Sequence, residues 1–295
     1  MNFDLGDTLT CAGKISWRHK SIWGLLMLPM LVAFVPFALF VVLFFSVIWV
    51  AEADLPGIAY AVLGIVFLLL FVLTTAVNYM VSSLCSSAAT LGIIRAERGE
   101  GSTKLMDLLR DGRPYFWRIL GVTLAVNLTL LLAYGIFTLL GLVLILVTFG
   151  MASICMQPIM LLLTPLMFLV IGITEAAEVA VITRDMSVMD AIKYACQVVR
   201  AHVWKYIGIT LIVYFGTSIL SSIVVVPLMM PAFALPLLLE LGGEVSLLGM
   251  ALISALFFCV FIPVMILVSS VMGVFMKTAL DLTSLRLTQN AENQV

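Results

Sequence analysis

Five stretches of this chain contain no charged residue at all: 21–51, 55–94, 119–174, 206–239 and 245–276. A helix needs about 20 apolar residues to cross the roughly 30 Å hydrocarbon core of a bilayer. Four of the stretches each have room for one such helix. The stretch 119–174 is too long for one and has a loop-like centre, Gly150 to Pro158, so it divides into two. The second of these runs past Glu175 and Glu178 to about Thr183. Six spans are expected, at about 23–50, 58–92, 117–148, 158–183, 206–230 and 246–276. Composition agrees, with 63% hydrophobic and 11% charged residues, where a water-soluble domain carries about a quarter charged. The solvent of this chain is lipid.

The remaining charges set the orientation. With six spans, three loops lie opposite the termini: 51–57, 150–157 and 231–245. They contain Glu52, Asp54, Glu240 and Glu244 and no basic residue. All 15 lysines and arginines fall on the other side, and basic residues stay on the cytoplasmic side of a membrane. Both termini are therefore expected in the cytoplasm. The first apolar run is longer than a signal-peptide core and follows an acidic start, so no secretory leader is expected. The five cysteines are scattered singly and read as small packing residues.

Segments 4–20 and 187–204 have the three-to-four-residue period of amphipathic helices lying in the membrane interface. They also align with each other. Asp7-Thr-Leu-Thr-Cys-Ala12-Gly-Lys-Ile15-Ser-Trp-Arg-His19 matches Asp190-Ala-Ile-Lys-Tyr-Ala195-Cys-Gln-Val198-Val-Arg-Ala-His202, placing the chain's only two histidines in register. A middle copy, 102–118, keeps Asp107 and Leu109 but contains Gly112 and Pro114 and lacks the histidine. The expected fold is all-α: three parallel repeats (about 4–94, 102–183 and 187–280), each an interfacial helix followed by a transmembrane hairpin. Together they form a single membrane domain over 1–286, with a polar tail at 287–295.

Each polar residue near a span has a structural and a functional reading. Asp4 and Asp7, like Ser187 and Asp190, have the spacing of a helix-start box and read as caps; proton carriage is the alternative for the two aspartates at 7 and 190. His19, Trp23, His202 and Trp204 read as interfacial anchors, with metal binding or pH sensing as the alternative for the histidines. Glu175 and Glu178, three apart on the fourth span, share a helical face. They are either solvated or ion-paired near headgroup depth, for example by Arg184, or they mark a solute or proton path. Asn127, Asn78 and Ser86 would line that path, or bond helices together. Prolines 29, 36, 165, 227 and 263 kink spans or open a cavity. The apolar loop 231–243 either lies on the outer leaflet or receives another subunit.

No phosphate-binding loop, nucleophile elbow, histidine pair or Cys/His cluster is present. The chain is expected to be non-enzymatic, with no catalytic residue, cofactor or metal and no nucleic-acid partner. Its partners are the lipid bilayer and, as candidates, other membrane subunits or further copies of itself.

Glu178-Val-Ala-Val-Ile-Thr-Arg-Asp-Met-Ser187-Val-Met-Asp-Ala-Ile192, and the opening Phe3-Asp-Leu-Gly-Asp-Thr-Leu to Trp17-Arg-His-Lys-Ser-Ile-Trp23, resemble bacterial and archaeal polytopic families without an assigned activity. The membrane domain fused to some glycerophosphodiester phosphodiesterases is similar. The resemblance implies a multi-pass protein of a bacterial or archaeal plasma membrane. It implies no catalysis, since in the fused enzymes the chemistry belongs to a separate soluble domain. The expected function is an accessory, scaffold or interaction subunit; the alternatives are a transporter or channel for a small or lipid-like solute and, third, a membrane-embedded enzyme.

Overall fold

The computed structural model describes residues 4–52, 57–99, 104–148, 150–241 and 247–292. Apart from one 3₁₀ turn, Arg113–Tyr115, its elements are all α-helices: α1 Leu5–Arg18, α2 Lys20–Glu52, α3 Gly57–Arg98, α4 Leu105–Gly112, α5 Phe116–Val147, α6 Ala152–Arg184, α7 Val188–Ala201, α8 Val203–Leu241 and α9 Leu247–Glu292. Among the described residues, five helical segments are long and apolar enough to cross a membrane: Tyr60–Arg98, Leu105–Val147, Leu163–Arg184, Val203–Met229 and Phe261–Thr288. A sixth is counted when Leu5–Arg18 and Lys20–Pro36, which meet at 82°, are taken as one. The chain is an all-helical, multi-pass membrane protein.

Three boundaries differ from the sequence reading. The break expected over 150–157 narrows to residues 148–151, where Gly150 takes φ +91°, and α6 then passes through Pro158 without interruption. The expected loop 231–245 is largely helix, because α8 continues through Pro231 and Pro236 to Leu241. A proline costs a helix one backbone hydrogen bond and a steric kink. From Tyr206 to Leu239 the run carries no charge, and the helix persists through it. At the other end, residues 287–292 form the last turns of α9, and Leu287 is buried.

The short helices are set by their ends. The Asp4 carboxylate accepts from Gly6 N–H at 2.8 Å, and the Ser187 hydroxyl takes the same N-cap role with Asp190 N–H. Such a cap satisfies one of the amide donors that a helix start leaves free. Both helices are 14 residues long, and His19 and His202 are their C-caps. At the first corner the Trp23 indole N–H donates to the Ser16 carbonyl at 2.8 Å, bridging the bend.

Their buried faces also correspond. Four, eight and twelve residues after the N-cap, α1 buries Thr8, Ala12 and Ser16, and α7 buries Ala191, Ala195 and Val199. The shorter α4 buries Leu108 and Gly112 at the first two of these places. Only glycine fits at the second, because a Cβ on Gly112 would stand 2.9 Å from the Ala88 backbone nitrogen.

Apart from Gly141 in α5, Phe168 midway along α6 and Ile266 in the first half of α9, the buried residues among the described side chains of the long helices lie toward the end that carries the basic residues. There α3, α6 and α9 converge, with Ala88, Ala177 and Ala279 fully buried. The packing is densest on α9, where every residue from Lys277 to Leu287 is buried except the half-buried Arg286. Toward the other end the helices lose contact with the rest of the chain. Residues 57–80 of α3 and 123–147 of α5 are almost wholly exposed or half-exposed. At 1.5 Å per residue these stretches are about 35 Å long, close to the thickness of a bilayer's hydrocarbon core.

Candidate functional site

Three converging helices bring charge into the packed end. α6 carries Glu175 and Glu178 on one face, because residues three apart on a helix are neighbours. α9 places Lys277 opposite them. Its Nζ donates to Glu175 Oε2 at 2.6 Å and to Glu178 Oε2 at 2.8 Å. From α3, Ser86 Oγ donates to the same Glu178 oxygen at 2.5 Å. The side chains of Lys277 and Glu178 are only 7% and 5% exposed, and that of Glu175 is 18% exposed. One helical turn beyond Lys277, the fully buried Asp281 faces the same charges; no N–H or O–H group donates to its oxygens, and its carboxyl lies within hydrogen-bond reach of that of Glu175.

Ions pay a desolvation cost of several kcal/mol when buried, and geometry must recover it. Lys277 recovers much of that cost by bonding two carboxylates. The cluster thus locks α6 to α9 and, through Ser86, to α3. It also holds three carboxylates against one ammonium group.

A second tier of contacts ties α3, α6 and α9 each to a short helix. Arg95 at the end of α3 pairs with Asp111 of α4 at 2.8 Å. Arg184 at the end of α6 lies over the Tyr194 ring of α7, 4.5 Å from its centroid. Arg286 near the end of α9 pairs with Asp7 of α1 at 2.8 Å and also reaches Glu97 and the Thr8 hydroxyl. Arg118 of α5 holds the Asp185 carboxylate just beyond α6, where Asp185 takes a left-handed φ of 53°.

Of the residues singled out from sequence, the fold gathers Glu175, Glu178 and Ser86 into one cluster. Asn127 stands exposed on α5, and Asn78 is half-buried on α3. The partner of the two glutamates is Lys277, whereas Arg184 turns to Tyr194. Asp4 and Ser187 are N-caps, and Asp190 accepts from the Ser187 hydroxyl at 2.7 Å. Asp7, one turn into α1, instead serves Arg286. Trp204 is 85% exposed at the start of α8, and the half-buried Trp23 packs edge-on against Trp17. His19 and His202 lie half-buried at the two corners. Partial burial, helped by Arg18 beside one and Lys205 beside the other, holds both imidazoles below their ordinary range and so uncharged at neutral pH.

Sequence reasoning missed Lys277 and Asp281, because both follow the last apolar run, where a charge ordinarily marks the membrane boundary. A signal was available. Ser86, Glu175 and Lys277 each stand nine residues before an arginine, Arg95, Arg184 and Arg286, and Ala88, Ala177 and Ala279 stand seven before it.

Among the described residues no group of three or more His, Cys, Asp or Glu side chains is arranged to hold a metal. A lateral groove of about 360 Å³ between α5, α6 and α7 is lined mainly by apolar side chains such as Val126, Ile173 and Ile192, with Cys196 at its edge. Neither Glu175 nor Glu178 is part of its wall. No family model matches the chain, and neither does any curated protein or any solved structure.

Proposed function

We propose that this chain is a non-catalytic scaffold or interaction subunit of a bacterial or archaeal plasma-membrane assembly, with both termini in the cytoplasm. Its architecture is three parallel units, each an interfacial helix followed by a transmembrane hairpin. The matched caps, corners and buried positions of α1 and α7 favour that division, and so do the pairings α2 with α3, α5 with α6 and α8 with α9. The arginine contacts favour it as well, since each unit's second long helix reaches the next unit's short helix and the third returns to the first.

The observation that carries the reading is how unevenly the chain uses its side chains. Its buried charges are spent on one another at the packed end. Along its most apolar stretch, by contrast, α3 buries nothing within the chain and α5 only 6%. A bare apolar helix gains little from leaving lipid, so contacts there come from shape and from small or polar residues on a partner. Transport through Glu175 and Glu178 is the rival reading. It requires those carboxylates to be open to a solute, whereas Lys277 and Ser86 hold them.

Photo-crosslinkers placed at Leu69 on α3 and Leu131 on α5, which are 64% and 65% exposed, test the proposal in native membranes. The expected result is a discrete, stoichiometric adduct with another membrane protein that survives Glu175→Gln. Adducts with lipid alone, together with a solute flux in proteoliposomes that Glu175→Gln abolishes, would overturn it in favour of transport. Labelling of Lys104 or Lys193 from outside intact cells would overturn the orientation.

A further inference from the structure

We propose that Asp281 is a buried proton-binding site, a carboxylic acid that holds one exchangeable proton inside the packed end of the bundle. Asp281 is fully buried, and no N–H or O–H group donates to its oxygens, although an ammonium group sits one turn away on the same helix; its carboxyl lies within hydrogen-bond reach of that of Glu175, a contact two carboxyl groups make only with a proton between them. Lys277 directs its bonds to Glu175 and Glu178 instead. With those two carboxylates ionised, an ionised Asp281 would leave two negative charges uncompensated at a place closed to bulk water. Burying a bare carboxylate costs far more than burying a neutral acid, and in practice such a group takes up a proton.

The surroundings fit a proton better than a metal ion. Glu175 and Glu178 each already give Oε2 to Lys277, and the described acidic groups do not converge as ligands. A proton needs only one oxygen. The buried hydroxyls of Tyr206 and Thr210 on α8 and of Thr278 on α9 also lack protein partners, and Tyr206 lies within electrostatic reach of Asp281. Orphaned buried hydroxyls are where ordered water is found, and water gives a proton its means of exchange.

The groups that act on Asp281 are few. They are Glu175 and Glu178 from α6, Lys277 from α9 itself and Tyr206 from α8. Asp7 of α1 and Glu97 of α3 are taken by Arg286 further along α9. The only charged residues of α2 stand at its two ends, Lys20 and Glu52, and α7 brings Tyr194 to Tyr206. The site does not depend on the scaffold reading, and the crosslinking outcome leaves it untouched.

Infrared difference spectroscopy of the full chain in lipid nanodiscs tests it. Wild-type protein is expected to show a protonated-carboxyl C=O band, equivalent to one group per chain, that shifts in D₂O and vanishes in Asp281→Asn. Asparagine matches the neutral acid in shape, so this variant is expected to fold. Should it fail to assemble, Asp281→Glu keeps the acid and must move the band. A carboxyl spectrum unchanged by the variant that folds would overturn the proposal. So would the absence of the band in a wild-type protein whose thermal stability rises with Na⁺ but not with choline, which would assign the site to a monovalent cation.

Discussion

The two ends of α3 differ in almost everything except being helix. From 57 to 80 it is rich in Leu, Val and Phe, and most of these are exposed. From 83 to 94 it is largely Ser, Ala, Cys and Thr with a few aliphatics, and most of these are buried. In water the hydrophobic effect would reverse this order. In lipid a leucine gains nothing by leaving the solvent, while small residues let backbones approach and polar ones must find each other. Exposure and hydropathy therefore rise together along the helix, and the residues that hold the molecule together are the less greasy ones.

The hardest way to break that contrast is to remove the one cation of the packed cluster. Lys277→Met leaves Glu175, Glu178 and Asp281 buried without a counter-charge, and breaking a buried pair costs about 3–5 kcal/mol. Thermal unfolding followed by size-exclusion chromatography should show little folded protein; a near-normal melting temperature would mean that the cluster is not structural. Gly112→Ala probes close approach at the same end. The added methyl meets the α3 backbone at Ala88, and overpacking of this kind costs about 1–3 kcal/mol. Retained stability would show that α4 can shift away from α3.

At the open end the effects should be slight. Leu69→Ala and Leu131→Ala are expected to change the stability of the isolated protein by under about 0.5 kcal/mol, the usual range for exposed sites. A larger loss would reveal a contact within the chain. The smallest effect is a pH dependence from the corners. His19 and His202 bind a proton less readily folded than unfolded, so stability is fully present above the ordinary imidazole value of about 6.5 and falls as pH drops through it. Replacing both histidines with glutamine should flatten that part of the melting curve against pH.

How much of this was legible in advance varies element by element. The short helices were readable because a cap and an apolar stripe are local patterns. The correspondence of Asp7–His19 with Asp190–His202 needed only alignment, and the two 14-residue helices match it position for position. The proline-bearing segment after Pro231 misled, because two prolines read locally as a loop, yet the helix continues past them to Leu241. Lys277 misled for a related reason. It is the first charge after an apolar run, which normally signals a membrane boundary, yet helix and burial continue past it to Leu287.

The sequence by itself determined the helical class and the long apolar helices, since both follow from which residues tolerate hydrocarbon. Only the tertiary structure decided that Glu175 and Glu178 meet Lys277 and that Asp281 stands against Glu175 with no donor of its own. Those partners lie about a hundred residues apart on helices whose rotation and depth are fixed jointly by Ala88, Ala177, Ala279 and the corner contacts. No single segment contains that information, because the energy of a buried charge belongs to everything that surrounds it.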